Sequence, residues 1–348
     1  MTGKHAHVLV IRFSAMGDVA LALPVVKSFA TAYPQHRLTF VSRPKFSVFF
    51  SGIANVIFFP ADVDKTYSGF WGIVQLFFNL RKLKPDVVID LHDHIRSRVL
   101  CFLFRVAGAS IVRFDKGRRE KKQITARSTK QIAFLPHTVN RYQQAFQLAG
   151  FDFPIIPPPY LVANTDNRKR LAEWLQKNNL TKNEMWIGLA PFAAHKSKIW
   201  PVQNYKAVIR QSIEKMKCRF FLFGGGANEI QFFNELKTEF PDHCVVVAGS
   251  LSLHEEIALI SLLDKMLCVD SSNMHLAALM GIPTVSIWGG THTATGFGAF
   301  GNQAHKIVEI ETAELPCRPC SVYGKETCFR GDFACLNKIT PAQVVANL

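Results

Sequence analysis

Short, continuous apolar runs recur along the chain, separated by longer stretches in which apolar positions return every three or four residues. In the first half, residues 7–12, 38–42, 55–59, 86–91 and 109–114 predict buried strands. Residues 19–33, 70–83, 95–106 and 137–149 carry the helical period, with Pro24 tolerated in the early turns of the first. Residues 153–160 read FPIIPPPY, and consecutive prolines favour a stiff, extended connector. The alternation then restarts. Strands are expected at 186–190, 220–223, 244–247, 266–269 and 284–288. A helix over 201–216 opens on a proline, and another follows the glycine turn 224–226. Ser252 and Glu255 have capping-box spacing, and Gly281 with Pro283 closes a helix over 273–280.

Repeated strand–helix units of this kind imply parallel, doubly wound sheets. The pattern is α/β, with two Rossmann-like domains facing a cleft. Their expected boundaries are 1–153, a Pro-rich linker at 154–160, a second domain at 161–315, and a Cys-rich tail with a C-terminal segment at 316–348.

Composition agrees with a folded chain: 348 residues, 48% hydrophobic and 19% charged. No apolar run reaches the roughly 18 residues a spanning helix needs, and the nearest, 99–112, is interrupted by Arg105. The N-terminal stretch passes from one lysine into a short strand-like run without a small-residue cleavage site, so a cytoplasmic protein without a leader is expected. The net charge of +15 calls for an acidic partner: nucleic acid, anionic lipid or a phosphorylated substrate. Nucleic acid would need aromatic side chains interleaved with the basic run at 116–130, which has none, so no nucleic-acid partner is expected. The 29 Phe residues belong mostly to cores, although exposed Phe beside Lys or Arg also suits a membrane surface.

Candidate chemistry gathers at predicted strand ends. Ser14-Ala15-Met16-Gly17-Asp18 follows the first strand; Gly17 lets a ligand approach the backbone, and Asp18 can serve as a carboxylate base or simply complement a helix dipole. Lys196 and Lys198 follow the first strand of the second half, where a lysine can neutralise a diphosphate. The glycine turn 224–226 lacks dinucleotide-fold spacing, and Glu229 after it can meet a ribose or sit as an ordinary first-turn acid. Asp270, Ser271, Ser272 and His275 open a helix after a strand, a natural anion site, and Gly289-Gly290-Thr291 follows the next strand. His92-Asp93-His94 suits the lining of a cleft better than a metal site.

Taken together, SAMGD, the Lys198-Ile199-Trp200 triplet, a glycine turn followed by an acid, DSSNMHLAA and GGT resemble glycosyltransferase family 9, the ADP-heptose:lipopolysaccharide heptosyltransferases, in order along nearly the whole chain. The resemblance implies a GT-B fold and inverting, metal-independent transfer with no required cofactor. It implies that Asp18 is the base and that Lys198 acts catalytically at the donor phosphates. Glu229, Asp270, Ser271, Ser272, His275, Gly290 and Thr291 would then hold the nucleotide-sugar donor. The family usually has glycine where Ser272 stands and Gly-Pro-Thr where this chain reads Gly289-Gly290-Thr291.

Ser14, Gly17, Arg118, Arg119, Lys121 and Lys122 are expected on the acceptor side, against a lipid-linked phosphorylated saccharide and the inner face of the inner membrane. Two other readings keep the fold: a non-catalytic nucleotide-sugar-binding module, and a transferase using a different nucleotide sugar. Cys317, Cys320, Cys328 and Cys335 have spacing compatible with structural zinc or an iron–sulfur centre, or with reduced or disulfide-bonded thiols. Cys101, Cys218, Cys244 and Cys268 read as reduced core thiols.

Overall fold

The computed structural model describes residues 5–127, 130, 132–301 and 304–348. Residues 1–4, which open the stretch read as leader-free, and residues 128 and 129 of the basic run lie outside the described residues. The chain divides into two compact units, one comprising Met1–Arg118 and Pro136–Tyr160, the other Arg119–Leu135 and Leu161–Leu348.

In the first unit β1 (His7–Ile11), α1 (Met16–Ala20), α2 (Leu23–Ala32), β2 (Arg37–Ser42), β3 (Val56–Pro60), α3 (Gly69–Arg81), β4 (Val87–Asp90), α4 (Ile95–Val106) and β5 (Ser110–Arg113) follow one another. Next, α5 (Arg118–Ile124) leads into the second unit's segment, and α6 (Thr138–Leu148) returns to the first. The parallel sheet has the order β3-β2-β1-β4-β5, with Val8 opposite Leu38 on one side and Val87 on the other. Strand order reverses between β1 and β4, which makes that gap the switch point where open α/β sheets bind ligands. One face of the sheet is covered by Ile73, Leu76, Leu80, Leu100 and Phe104 from α3 and α4. On α2, Phe29 packs at 5.4 Å from Phe146 and 5.2 Å from Phe151.

Helical periodicity runs unbroken through residues 19–33, yet the structure stops α1 at Ala20 and restarts at Leu23. Pro24 accounts for the break: it has no N–H to continue the ladder and would clash with the carbonyl four residues earlier, but it fits the first turn of a new helix. The prolyl stretch is anchored where it begins. Phe153 stacks edge-on to Phe29 and Phe146, and the Ile156 amide donates to Ser28 Oγ at 3.0 Å.

The second unit runs α7 (Thr165–Lys177), β6 (Met185–Ala190), α8 (Asn204–Lys215), β7 (Cys218–Leu222), α9 (Ala227–Glu239), β8 (Cys244–Val246), α10 (Leu253–Ile260), β9 (Lys265–Val269), α11 (Ser272–Leu279), β10 (Thr284–Trp288), β11 (Lys306–Glu309), α12 (Ala334–Asn337) and α13 (Pro341–Val345). Its parallel sheet has the order β11-β10-β9-β6-β7-β8, so the switch point lies between β6 and β9. Trp200, Tyr205 and Phe233 fill its core, and the Trp200 indole N–H donates to the Ile339 carbonyl at 3.2 Å. Residues from α12 and α13, including Leu336 and Val344, belong to the same core, so the C-terminal segment is part of this unit. Cys101, Cys218, Cys244 and Cys268 are buried free thiols, as expected, and burial pushes Cys218 up to about 11 and Cys244 up to about 12.

Candidate active site

At the first switch point, the loop after β1 and the loop after β4 lie side by side. Asp18, in α1, accepts a salt bridge from Arg12 Nη2 at 2.7 Å and a backbone hydrogen bond from the Ala15 amide at 3.2 Å. Ser14, on the loop before α1, and Gly17, in its first turn, flank it, both half-buried. Arg12 itself is buried, donates to the Leu91 carbonyl at 2.6 Å, and lies about equally far from the Phe114 and Tyr142 rings. Asp18 keeps 22% of its side-chain surface, so one face of the carboxylate remains open to a substrate.

His92 follows β4 and packs edge-on against Phe13 at 5.6 Å. Burial, with Arg12, His94 and Lys116 nearby, lowers its pKa to about 3, which keeps the ring neutral at physiological pH. Asp93 is tied to Arg98 at 2.8 Å and Arg118 at 2.7 Å, and its carbonyl accepts from Lys116 at 2.8 Å. Asp90 is fully buried and its pKa is raised by that burial; it accepts from the His92 and Asp93 amides and from Ser97 Oγ. These bonds shape the loop that faces Asp18.

The second switch point is built the same way. The loop after β6 presents Lys198, and the loop after β9 presents Asp270, their charged atoms 3.0 Å apart. Thr291, after β10, is fully buried and donates its hydroxyl to the same Asp270 oxygen at 2.8 Å. One carboxylate oxygen therefore receives a lysine and a threonine from two other loops. Lys198 keeps 15% of its side chain exposed, and an ammonium has three donors, so donors remain for an anion. Lys196, its neighbour, is exposed.

Ser271 is the N-cap residue of α11, and its hydroxyl has no hydrogen-bond partner among the described residues. Ser272 begins the helix, whose first amides have no intrahelical acceptor, and His275 is buried one turn further on. Glu229 turns back on the glycine run and accepts from the Gly225 amide at 2.9 Å. A Cβ on Gly224 would stand 2.5 Å from that carboxylate, which could swing away, and 2.8 Å from the buried Phe233 ring, which has less room to move.

The Gly289-Gly290 pair answers a different need. A Cβ on Gly289 would lie 2.5 Å from the Ser197 carbonyl oxygen, and one on Gly290 would lie 3.0 Å from Ser197 Cβ. The Gly290 amide donates to the Ser197 carbonyl at 2.8 Å. The glycines thus let the β10 loop approach the turn that carries Lys198.

Over residues 73–326 the sequence matches the profile of glycosyltransferase family 9 (heptosyltransferase). The chain belongs to this family. It is 23% identical to the lipopolysaccharide core heptosyltransferase OpsX of Haemophilus influenzae over 279 residues, 80% of this chain and 78% of that protein. It is 26% identical to lipopolysaccharide heptosyltransferase 1 of Pseudomonas aeruginosa over 337 residues, 92% and 87% of the two chains. Its fold superposes on the E. coli ADP-heptose lps heptosyltransferase II with a TM-score of 0.70 at 20% identity, covering 98% and 97%. The fold is GT-B, and the protein is a glycosyltransferase.

Two features of this family 9 enzyme escape a sequence reading. Arg12 ends an apolar strand run, and its only visible signal is a charge directly before the loop that carries the acid. Arg318 gives no signal at all. It is fully buried and donates to the carbonyls of Trp288, Gly289, Thr291 and Ile310 while pairing with Glu309 at 2.7 Å. The loop bearing Thr291 is therefore held from behind by the Cys-rich segment. Cys320 and Ser321 add amide bonds to the Gly290 carbonyl at 3.0 and 3.1 Å.

The basic run divides between the units. Arg118 pairs with Asp93 in the first, whereas Arg119, Lys121 and Lys122 lie in the second, on α5. Lys121 is buried, its ammonium 4.4 Å from the Phe297 ring centre, and Lys122 is exposed. Arg127 lies over Phe329 at 4.8 Å, and Lys130 donates to the Pro319 carbonyl at 2.9 Å. Phe297, and Phe329 and the Pro319 carbonyl of the tail, thus occupy three of these cations.

The zinc or iron–sulfur expectation for the four tail cysteines is not supported. Among the described residues no group of three or more His, Cys, Asp or Glu side chains is placed to hold a metal ion, and all four cysteines are free. Their sulfurs have other surroundings: Cys335 sits in the hydrophobic core, where burial pushes it up to about 12, Cys317 packs against that core, and Cys320 Sγ donates to the Gly290 carbonyl.

Proposed function

We propose that this glycosyltransferase moves a heptose from ADP-heptose to the inner core of a lipopolysaccharide, with inversion at the anomeric carbon. Asp18, in the first unit, takes the proton of the acceptor hydroxyl as that oxygen attacks the anomeric carbon opposite the leaving ADP. Lys198, in the second, neutralises the departing diphosphate, with α11 amides and the Ser271 hydroxyl as further donors. Positioned base catalysis typically supplies about 10²–10⁴-fold, so orientation and leaving-group electrostatics must supply the rest. The reaction as assigned calls for no cofactor.

The observation that carries this reading is the meeting of Lys198, Thr291 and Asp270 on one carboxylate oxygen. It presets a cation at the strand ends of a switch point, where a diphosphate would lie. The relatives' names, lipopolysaccharide and ADP-heptose heptosyltransferases, support the donor and the acceptor. A lipid-linked acceptor places the enzyme at the inner face of the inner membrane. Arg119 and Lys122 are the cations of α5 assigned to the acceptor phosphates, since Arg118 pairs with Asp93 and Lys121 lies against Phe297.

A thermal-shift panel of ADP-, GDP- and UDP-sugars, followed by a transfer assay on core oligosaccharide, tests the proposal. Stabilisation by ADP-heptose with product formation supports it. Stabilisation only by a uridine or guanosine sugar would overturn the donor, and binding without turnover on any acceptor would favour a non-catalytic module.

A further inference from the structure

Of the fourteen large hydrophobic side chains exposed among the described residues, six lie on α3 and α4: Phe70, Trp71, Phe78, Ile95, Phe102 and Val106. The two helices hold 13 and 12 residues, so the exposure is concentrated rather than scattered. Trp71 is 78% exposed, Phe102 65% and Phe78 54%.

Spacing explains how both helices remain folded. The inward positions Ile73, Leu76, Phe77 and Leu80 of α3, and Leu100, Cys101 and Phe104 of α4, fill the sheet-facing core. The outward stripe of α3 reads Trp71, Gln75, Phe78 and Lys82, and that of α4 reads Ile95, Arg98, Phe102 and Arg105; all are exposed. The helices pack on each other over one face of the sheet, so the stripes lie side by side. Each helix therefore has two apolar faces, of which the core uses one.

The surrounding charge is mainly basic, with Asp64 and Asp86 the exposed acids at the ends of α3. Neither helix contains an acidic residue. Arg81, Lys82 and Lys84 close α3, and Arg105 closes α4; none of these has a carboxylate partner among the described residues. Asp64, the exposed acid before α3, is taken by Arg43 at 2.8 Å and Arg96 at 3.2 Å. Large aromatic side chains set among uncompensated Lys and Arg match the interface of an anionic bilayer, where rings enter the headgroup region and cations meet lipid phosphates.

We propose that the outward face of α3 and α4 docks this enzyme on an anionic lipid bilayer. The inference deepens the proposed function and rests on its lipid-linked acceptor. It also fits the layout of the unit: α4 begins directly after the His92–Asp93 loop beside Asp18, so the docking face starts at the strand ends where the acceptor hydroxyl would be activated.

The test uses full-length protein and vesicles of phosphatidylcholine with or without phosphatidylglycerol and cardiolipin. Wild type should sediment with the anionic vesicles and not with pure phosphatidylcholine. The variant Trp71→Ser/Phe78→Ser/Phe102→Ser, and separately Lys82→Glu/Arg105→Glu, should lose at least tenfold in partitioning while keeping the wild-type melting temperature. Both should retain wild-type turnover on soluble, delipidated core oligosaccharide and lose it on vesicle-embedded acceptor. Unchanged partitioning of both variants, or wild type that ignores anionic vesicles, overturns the proposal. A change from dimer to monomer without a change in vesicle binding assigns the face to a second copy and also overturns it. Absence of transfer to the soluble acceptor would instead sink the assigned reaction, while the vesicle result stands by itself.

Discussion

Arg12 and Asp18 come from opposite ends of one loop, and the structure closes them into a 2.7 Å ion pair at a sheet switch point. The pair sets where the carboxylate points. Asp18→Asn should keep ADP-heptose binding and lower turnover by about 10²–10⁴-fold, the usual reach of a positioned base. Arg12→Lys keeps the charge but loses the planar fork, so it should lower kcat with little change in donor KM. Unaltered turnover in Asp18→Asn would remove it from the chemistry.

Thr291→Val preserves shape and deletes the hydroxyl that donates to Asp270. Hydrogen bonds to charged groups contribute about 1.5–3 kcal/mol. Donor affinity, measured by calorimetry, should fall by at least tenfold through the loosened Lys198. An unchanged Kd would mean that Asp270 holds the lysine without help.

Gly289 and Gly290 should respond differently to alanine. At Gly289 the new Cβ meets a backbone carbonyl at 2.5 Å, which can yield only if the Ser197 turn moves. At Gly290 the nearest atoms are Ser197 Cβ at 3.0 Å and Cys320 Sγ at 3.2 Å, a smaller adjustment. Gly289→Ala should therefore weaken donor binding well beyond Gly290→Ala. Equal effects would argue that the glycines serve the ligand directly.

Arg318→Met would leave several buried carbonyls without their donor and take one of two partners from the half-buried Glu309, whose other carboxylate oxygen keeps His292 at 3.3 Å. Removing one partner of a buried pair costs on the order of 3–5 kcal/mol. Urea unfolding followed at the tryptophans of the second unit should register that loss, with a smaller one for Glu309→Gln. A loss below about 1 kcal/mol for Arg318→Met would contradict the bracing role.

Glu256, on α10, supplies a pH signature. Burial raises its pKa from 4.5 to about 7. Between those values the folded chain holds a proton that the unfolded chain has released, so stability falls as pH rises through the window and stays reduced above it. Glu256→Gln cannot ionise; it should gain on the order of 2 kcal/mol near pH 8 and almost nothing near the unfolded pKa. A gain independent of pH would mean that packing, not charge, is responsible.

Local pattern carried much of the fold. The strand runs recur within a residue or two in β1–β10, because a buried parallel strand needs a continuous apolar run. The strands β3 and β5 are expected to be buried too, but they lie at the sheet edges and are half-buried or exposed throughout. The motif loops were also legible: Asp18, Lys198, Asp270 and Thr291 follow strand ends, and strand ends are readable. What stayed hidden lacked either a core-facing run or a local partner. The mostly polar α7 and the partly exposed β11 have weak apolar patterns. That Lys121, expected on the acceptor side, lies against Phe297 could not be seen either, because that ring is far along the chain.

By itself, then, the sequence determined two α/β halves and the loops that carry chemistry, since periodicity and strand-end motifs depend on neighbours a few residues away. Only the tertiary structure decided that Asp270 receives Lys198 and Thr291, that Arg12 steers Asp18, and that Arg318 braces the Thr291 loop. The first of these relations depends on strand order, and the third on a tail segment folded back behind the sheet. Parallel sheets bring distant loops together at a switch point, and the order of the strands is set by packing that no local window contains.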